Sequence, residues 1–187
     1  LGIDDIGGLT AQEKQATVKD LITARSGVFH PASNAGSDPA PPRGSQKHGT
    51  YFLYNNWDFN ALGAAFEIMT KRDIYDALES DLARPIGMQD FDRAQQYKSG
   101  DSTQSRWLAY HMYLSTRDMA RLGYLMLRQG SWNGRQLVPA DWVVESTRVF
   151  TPVTQLNPPE ERSGPYGYGY LWWVWDGPQA KGAFEGA

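Results

Sequence analysis

The strongest constraint on the fold of this chain is a helical spacing of apolar residues that starts after residue 56. Asparagine is a residue type that caps helices, and here Asn56 precedes apolar residues that recur three and four positions apart. A second set of apolar residues follows at the same spacing and ends at Pro85 and Gly87. The pattern predicts two consecutive helices that pack as a pair. The apolar positions are Trp57, Ala61, Leu62, Ala65, Phe66 and Met69 in the first helix and Ile74, Ala77, Leu78 and Leu82 in the second.

Three further helices carry recognisable start signals. Residues 17–20 and 115–118 each have a threonine or serine followed three positions later by an aspartate, which is the capping-box spacing. These signals predict one helix over about 17–25 and another that ends at Gly130. Pro139, at a first helical position, predicts a helix that runs through Trp142.

The remaining segments indicate loops and one strand. Residues 30–50 are rich in Pro, Gly, Ser and Asn and form a predicted loop of about 20 residues. Connections beyond about 12–15 residues are usually functional or disordered. Residues 132–135 predict a tight turn. Residues 166–175 are aromatic and rich in β-favouring types, and we interpret them as one strand.

Composition excludes several classes of function. The net charge is −3 and no concentrated basic face exists, so nucleic acid is not an expected partner. Cysteine is absent, which removes disulfides, thiolate zinc sites and a cysteine nucleophile. No run of 18 apolar residues occurs, so no transmembrane segment is predicted. The chain starts at Leu1 without a signal-like segment, and we interpret it as an internal piece of a longer protein.

The segment 51–57 is the candidate for a functional site. It places Tyr54 and the amides of Asn55 and Asn56 at the mouth of the predicted helix, directly after the long loop. The residues alone leave a second interpretation open, in which a half-buried tyrosine ends a strand and an asparagine only caps the helix.

Five segments, in order along the chain, resemble the serine β-lactamase-like and penicillin-recognising hydrolases, which include class C β-lactamases, DD-peptidases and esterases. Residues 17–27 are similar to the T-x-x-x-L-L-x-x-x-S-G segment of that family. Tyr54-Asn-Asn56, followed by Leu62-Gly63, resembles its Y-x-N motif and the helix behind it. The other three segments are 84–88, similar to P-L-G-M; 115–119, similar to S-T-x-x-D-M/L; and 166–173, similar to Y-G-Y-G-W.

The resemblance implies an α/β fold of the β-lactamase/transpeptidase type. Residues 1–150 would form the helical lobe with the tyrosine motif, 151–165 a linker loop, and 166–187 the start of the sheet lobe with its first strand. In this family the serine of an S-x-x-K motif attacks a carbonyl carbon and forms an acyl-enzyme, while a lysine and the Y-x-N tyrosine manage the proton. The implied substrate is an amide, a β-lactam or an ester, and the implied location is periplasmic or secreted.

The chain departs from the family pattern at two motifs. No lysine has a serine three positions before it, so S-x-x-K is absent, and no K-T-G or H-x-G segment follows the aromatic strand. The family order puts these motifs upstream of Thr17 and downstream of residue 173. We therefore expect this chain alone to be inactive, with the nucleophile in the longer protein, and inactivation by divergence is the other explanation.

The resemblance assigns roles to four residues. Tyr54 would be the general base or proton relay and Asn56 would orient the substrate carbonyl or the lysine. Trp57 and His111 are candidates for the substrate rim, although the core is the ordinary place for such a tryptophan and a structural role the ordinary one for such a histidine. No cofactor or metal is expected, and the partner would be a small-molecule or peptide-like substrate. The alternative function is a catalytically inactive penicillin-binding-like protein, or one that binds sugar through its aromatic residues; the oligomeric state stays open.

Overall fold

The computed structural model describes residues 2–34 and 40–176. Its helices are α1 (Val18–Ile22), α2 (Asn56–Thr70), α3 (Ile74–Leu78), α4 (Thr116–Leu127) and α5 (Ala140–Thr147). Its strands are β1 (Tyr97–Ser99), β2 (Ala109–His111), β3 (Ser131–Trp132), β4 (Arg135–Gln136), β5 (Tyr166–Tyr168) and β6 (Trp173–Trp175). The strands form three separate antiparallel pairs, β1–β2, β3–β4 and β5–β6. Single 3₁₀ turns lie at Glu13–Gln15, Arg93–Gln95, Val153–Gln155 and Pro159–Ser163.

Helix α1 begins as its sequence indicates but is shorter than predicted. The Thr17 hydroxyl accepts a hydrogen bond from the backbone N–H of Asp20, and the Asp20 carboxylate accepts one from the backbone N–H of Thr17, which completes a capping box. The helix ends at Ile22 instead of residue 25, because Ala24 adopts a left-handed conformation with φ of 53°. The chain then turns back toward α2.

Helix α2 is the longest helix and is capped by Asn55, which corrects the prediction that Asn56 is the cap. The Asn55 Oδ1 accepts a hydrogen bond of 2.9 Å from the backbone N–H of Asp58. Asn56 therefore lies in the first turn, where its side chain is not used for capping. The inner face of α2 packs on α1 and joins a core cluster of Ile3, Leu9, Ala16, Leu21, Val28, Ala32, Trp57 and Ala61.

Helix α3 is followed by a change of helix type. The apolar spacing predicts one helix through Leu82, whereas the structure has α3 up to Leu78 and then a π-helical turn over Glu79–Ala83. The Asp73 carboxylate caps α3 by accepting hydrogen bonds from the backbone N–H groups of Tyr75 and Asp76, at 2.8 and 3.1 Å. The helical segment as a whole still ends before Gly87.

Helix α4 is capped by Ser115 as predicted, since its hydroxyl accepts a hydrogen bond from the backbone N–H of Asp118. The Asp118 carboxylate is buried and accepts hydrogen bonds from the backbone N–H groups of Gln89 and Asp90, at 2.8 and 2.9 Å. These bonds attach α4 to the turn after the π-helical segment. The predicted tight turn joins β3 to β4 through Asn133 and Gly134, both at positive φ.

The aromatic segment 166–175 forms two strands, so the prediction of a single strand is wrong. β5 and β6 pair antiparallel, and the connecting turn contains Leu171 at a φ of 61°. Gly169 lies so close to α5 that a Cβ atom there would be 2.7 Å from the backbone oxygen of Ser146. A glycine is therefore needed where the chain leaves β5.

The segment 151–165, predicted to be a linker loop, packs against the rest of the chain. The backbone of Thr151 pairs with that of Tyr168, and Leu156 is buried. Leu156 and Tyr168 belong to a second core cluster with Ala24 and Phe52. Part of the predicted sheet lobe, residues 177–187, lies outside the described residues. No helix among the described residues is long and apolar enough to cross a membrane.

Candidate active site

Tyr54 lies immediately before α2, and its ring is held by three aromatic side chains. The ring centroid is 4.8 Å from that of Phe59, 5.2 Å from that of Trp173 and 6.0 Å from that of Tyr168. Its side chain is nevertheless 44% exposed. The packing fixes the ring while a large part of the residue remains accessible, as a group that exchanges protons with a bound molecule requires.

Asn56 lies in the first turn of α2 and is half-buried. Its Nδ2 donates a hydrogen bond of 3.3 Å to the backbone oxygen of Asn34, and Asn60, one turn later, donates a bond of 2.9 Å to the side-chain oxygen of Asn34. The first part of the long loop is therefore attached to the first half of α2. The amide of Asn56 is oriented by this contact.

Tyr54 and Asn56 line the same cleft, which has a volume of about 260 Å³. The cleft lies between the start of α2 and residues 29–32 of the preceding loop. Its described lining residues are Phe29, His30, Pro31, Ala32, Ala40, Leu53, Tyr54, Asn55, Asn56 and Trp57. Tyr54 and Asn56 therefore border one and the same cleft.

The structure places Trp57 in the core, not at an exposed rim. The residue is 1% exposed, although it is one of those that line the cleft. Its indole Nε1 donates a hydrogen bond of 2.7 Å to Asp5 Oδ2. This hydrogen bond satisfies the indole N–H, so the tryptophan can be fully buried.

Asp5 holds three parts of the chain together beneath the cleft. Its carboxylate also accepts hydrogen bonds from the Ser105 hydroxyl, at 2.5 Å, and from the backbone N–H of Arg106, at 2.9 Å. Burial acts to raise the pKa of Asp5, but the hydrogen bonds from Ser105, Arg106 and Trp57 outweigh it and lower the pKa below its ordinary value. The carboxylate is therefore a charged anchor for Trp57.

His111 lies in β2 and lines a different cavity. This second cavity has a volume of about 700 Å³, and Asn56 is the residue that it shares with the Tyr54 cleft. The His111 Nε2 lies 2.6 Å from the Ser99 Oγ, and its ring packs at 5.0 Å on that of Tyr97. The structure therefore brings Asn56 to both cavities but does not bring His111 to the cleft that contains Tyr54.

Sequence reasoning missed Asp58, which lies one helical turn after Tyr54. Its side chain is fully buried, and Oδ1 accepts a hydrogen bond of 2.5 Å from the Ser26 hydroxyl. Burial raises the pKa of Asp58 to about 8, and the Ser26 hydroxyl opposes this shift only in part. The signal available in the sequence was the Asn55-x-x-Asp58 spacing, which fits a cap at Asn55.

The charges around Tyr54 are few. Among the described residues, no lysine or arginine lines the 260 Å³ cleft or the smaller cleft of about 170 Å³ that also borders Tyr54, whereas Glu161 lines the latter. The described residues contain no group of three or more histidines, aspartates or glutamates that could hold a metal ion.

The sequence matches the model of the family described as Beta-lactamase over residues 8–186, nearly its whole length. The chain belongs to the Beta-lactamase family. It is 36% identical over 72 residues to an uncharacterized protein of Alkalihalophilus pseudofirmus, a match that covers 38% of this chain and 19% of that protein.

This Beta-lactamase-family chain also resembles a solved structure from Bacillus anthracis named as a 6-aminohexanoate-dimer hydrolase. The TM-score is 0.62 at 19% identity, and the match covers 88% of this chain and 48% of the other. The likeness at this identity shows the fold, so the predicted β-lactamase-like α/β fold is confirmed. The chain spans about half the length of that structure.

Proposed function

We propose that this chain supplies the proton-relay tyrosine and a substrate-orienting amide to a serine hydrolase that works through an acyl-enzyme. The observation that carries the proposal is that Tyr54 and Asn56 line one cleft at the start of α2. Membership of the Beta-lactamase family supports hydrolysis as the class of reaction. The aromatic packing around Tyr54 supports its role as a fixed group rather than a mobile surface residue.

The proposed reaction uses a serine from outside this chain. Its Oγ attacks the carbonyl carbon of an amide, β-lactam or ester, while the hydroxyl proton passes to the phenolate oxygen of Tyr54. The same proton then goes to the leaving nitrogen or oxygen as the carbonyl–heteroatom bond breaks. A water molecule then attacks the acyl carbonyl carbon and gives a proton to Tyr54. This proton passes to the serine Oγ as the ester bond of the acyl-enzyme breaks.

Tyr54 requires a positive neighbour for this role. A phenol ordinarily ionises near pH 10, so a nearby cation has to favour the phenolate at neutral pH. No lysine or arginine of the described residues lines the two clefts that border Tyr54. We assign the missing charge to the lysine of an S-x-x-K motif in the longer protein.

The substrate we propose is a small molecule or a peptide-like amide or ester. The 260 Å³ cleft accommodates a compact group next to the phenol. The name of the Bacillus anthracis relative refers to an amide-linked dimer, and an amide of that kind is one candidate for the longer protein.

A non-catalytic binding protein is the second candidate. Three aromatic side chains of the β5–β6 hairpin, Tyr166, Trp172 and Trp173, are each about 40% exposed and offer stacking surfaces for a sugar or another flat ligand. The two candidates differ in covalent chemistry. Only the hydrolase forms a covalent bond with its substrate.

Labelling with a fluorophosphonate and with a labelled penicillin tests the proposal. The longer protein should be modified at a serine three positions before a lysine, and the 187-residue chain should not be modified. Tyr54→Phe in the longer protein should slow the labelling by at least tenfold. A longer protein that contains S-x-x-K but resists both reagents would favour the binding protein, and specific labelling of a serine in the 187-residue chain would contradict the proposed role directly.

A further inference from the structure

Asp58 is a fully buried carboxyl group in the first turn of α2, the helix that follows Tyr54. It is the third residue of α2, while Tyr54 lies four positions before it and Asn56 two positions before it. Its backbone N–H donates to the capping Asn55, and its Oδ1 binds the Ser26 hydroxyl. One residue therefore connects the start of α2 to the chain after α1.

Ser26, the partner of Asp58 in this hydrogen bond, is also held in place. The Ser26 hydroxyl oxygen accepts a hydrogen bond of 3.0 Å from the backbone N–H of Val28, which lies in a core cluster with Trp57. Ser26 is 2% exposed, and the following Gly27 leaves no room for a Cβ atom, which would lie 2.7 Å from the backbone oxygen of Gln46. The segment that holds Ser26 is thus confined on both sides.

The second carboxyl oxygen of Asp58 has no hydrogen-bond partner among the described residues. A buried ionised carboxylate with an unsatisfied oxygen is costly, whereas a neutral carboxyl group is much less so. The titratable groups that interact electrostatically with Asp58 include Asp20 of α1, which binds His48, and Tyr168 of β5. The negative charge of Asp20 adds to the preference for a neutral Asp58.

We propose that Asp58 is a positioning residue, which through its hydrogen bond with Ser26 fixes the first turn of α2 and thereby the side chains of Tyr54 and Asn56. The inference rests on the proposed function, because Tyr54 and Asn56 are the groups that Asp58 positions. Asp58 itself is assigned no contact with the substrate. The hydrogen bond with Ser26 fixes the turn while Asp58 is neutral. Ionisation leaves a buried charge unsatisfied and loosens the turn that carries Tyr54.

A matched pair of substitutions tests this in the longer protein. Asp58→Ala removes the hydrogen bond to Ser26, so kcat should fall at least tenfold with KM changed less than threefold. Asp58→Asn cannot ionise but keeps the oxygen that accepts from Ser26, and it should restore most of the lost kcat. Ser26→Ala removes the same hydrogen bond by deleting its donor and should also lower kcat. This variant provides the test if Asp58→Ala does not fold. Unchanged kcat in Asp58→Ala or in Ser26→Ala would overturn the proposal.

The pH dependence of stability gives a test that does not depend on activity. A carboxyl whose pKa is raised by folding contributes stability that is complete below its unfolded pKa and is lost as the pH rises through the folded value. The melting temperature of the unsubstituted protein should therefore decrease relative to that of Asp58→Asn between pH 5 and pH 9, and its kcat should fall relative to that variant above pH 8. If the melting temperatures of the two proteins change in parallel with pH, the neutral buried carboxyl is excluded. A fully active Tyr54→Phe variant would contradict only the proposed function.

Discussion

The ring of Trp173 in β6 packs at 5.2 Å on the ring of Tyr54, with an angle of 34° between the planes. Tyr54 precedes α2, and Trp173 lies in the hairpin near the end of the described chain. Since the two segments are joined by this contact, the orientation of the candidate proton relay depends on the β5–β6 hairpin. The helical part of the chain does not hold Tyr54 alone.

Tyr54→Phe should lower kcat far more than it changes KM in the longer protein. The substitution keeps the ring contacts with Phe59 and Trp173 but removes the hydroxyl, and a proton-transfer group typically contributes about 10² to 10⁴-fold in rate. Steady-state and single-turnover kinetics measure the effect. Tyr51→Phe is the control, because Tyr51 packs on Phe29 and does not line the cleft. Equal kinetics for both variants would make Tyr54 a structural residue.

Trp173→Ala should reduce both activity and stability. The side chain contacts Phe52, Tyr54 and Tyr168, so its loss should cost about 1–2 kcal/mol of unfolding free energy and leave the Tyr54 ring less restrained. The matched control is Trp172→Ala, since Trp172 is similarly exposed. Urea unfolding and kcat should separate the two variants. If both behave alike, the hairpin does not position Tyr54.

Gly63→Ala in α2 should destabilise the protein although alanine favours helices. A Cβ atom at this position would lie 1.9 Å from the Tyr110 ring, so the ring has to move, and overpacking of this kind costs about 1–3 kcal/mol. Gly123→Ala in α4 is the opposite case, because its Cβ meets nothing within 4 Å. It should add about 0.5–1 kcal/mol. Thermal unfolding that ranks the two variants in the reverse order would contradict the packing described for α2.

Asp5→Asn should cost about 2–3 kcal/mol of unfolding free energy near neutral pH, because an amide cannot accept all the hydrogen bonds that reach this carboxylate. The pKa of Asp5 is lowered by folding, so its contribution is present above the unfolded pKa and is lost as the pH falls below about 4. Denaturation across pH 3–7 should therefore show a difference that shrinks in acid. Exposed Asp141→Asn is the control and should change stability by less than about 0.5 kcal/mol.

The local parts of the fold were predictable from local chemistry. The capping box at Thr17 and the hydroxyl cap at Ser115 involve groups three residues apart, so the sequence contains both partners. The cap of α2 was assigned one residue too late, because Asn55 and Asn56 have the same side chain. Which of the two accepts from Asp58 depends on the backbone conformation at Asn55.

The division of the aromatic segment could not be read from its residues. A positive φ at Leu171 is unusual for a side chain of that kind, and the glycine of this connection, Gly169, lies two residues before it. The turn is held by contacts with distant segments, since Leu171 donates its backbone N–H to Ile22 and Tyr170 donates to Ser146. A pattern of β-favouring residues does not contain that information.

The sequence by itself determined the helix starts at Thr17 and Ser115, the family and the pairing of a tyrosine with an asparagine at the mouth of α2, because each depends on residues near one another in the chain. The tertiary structure decided the rest. It placed Trp57 in the core against Asp5, His111 in a second cavity and Asp58 against Ser26, at separations of 52 residues in the first case and 32 in the last. The physical reason is that burial and hydrogen bonding satisfy polar groups across distant segments, and only folding brings those segments together.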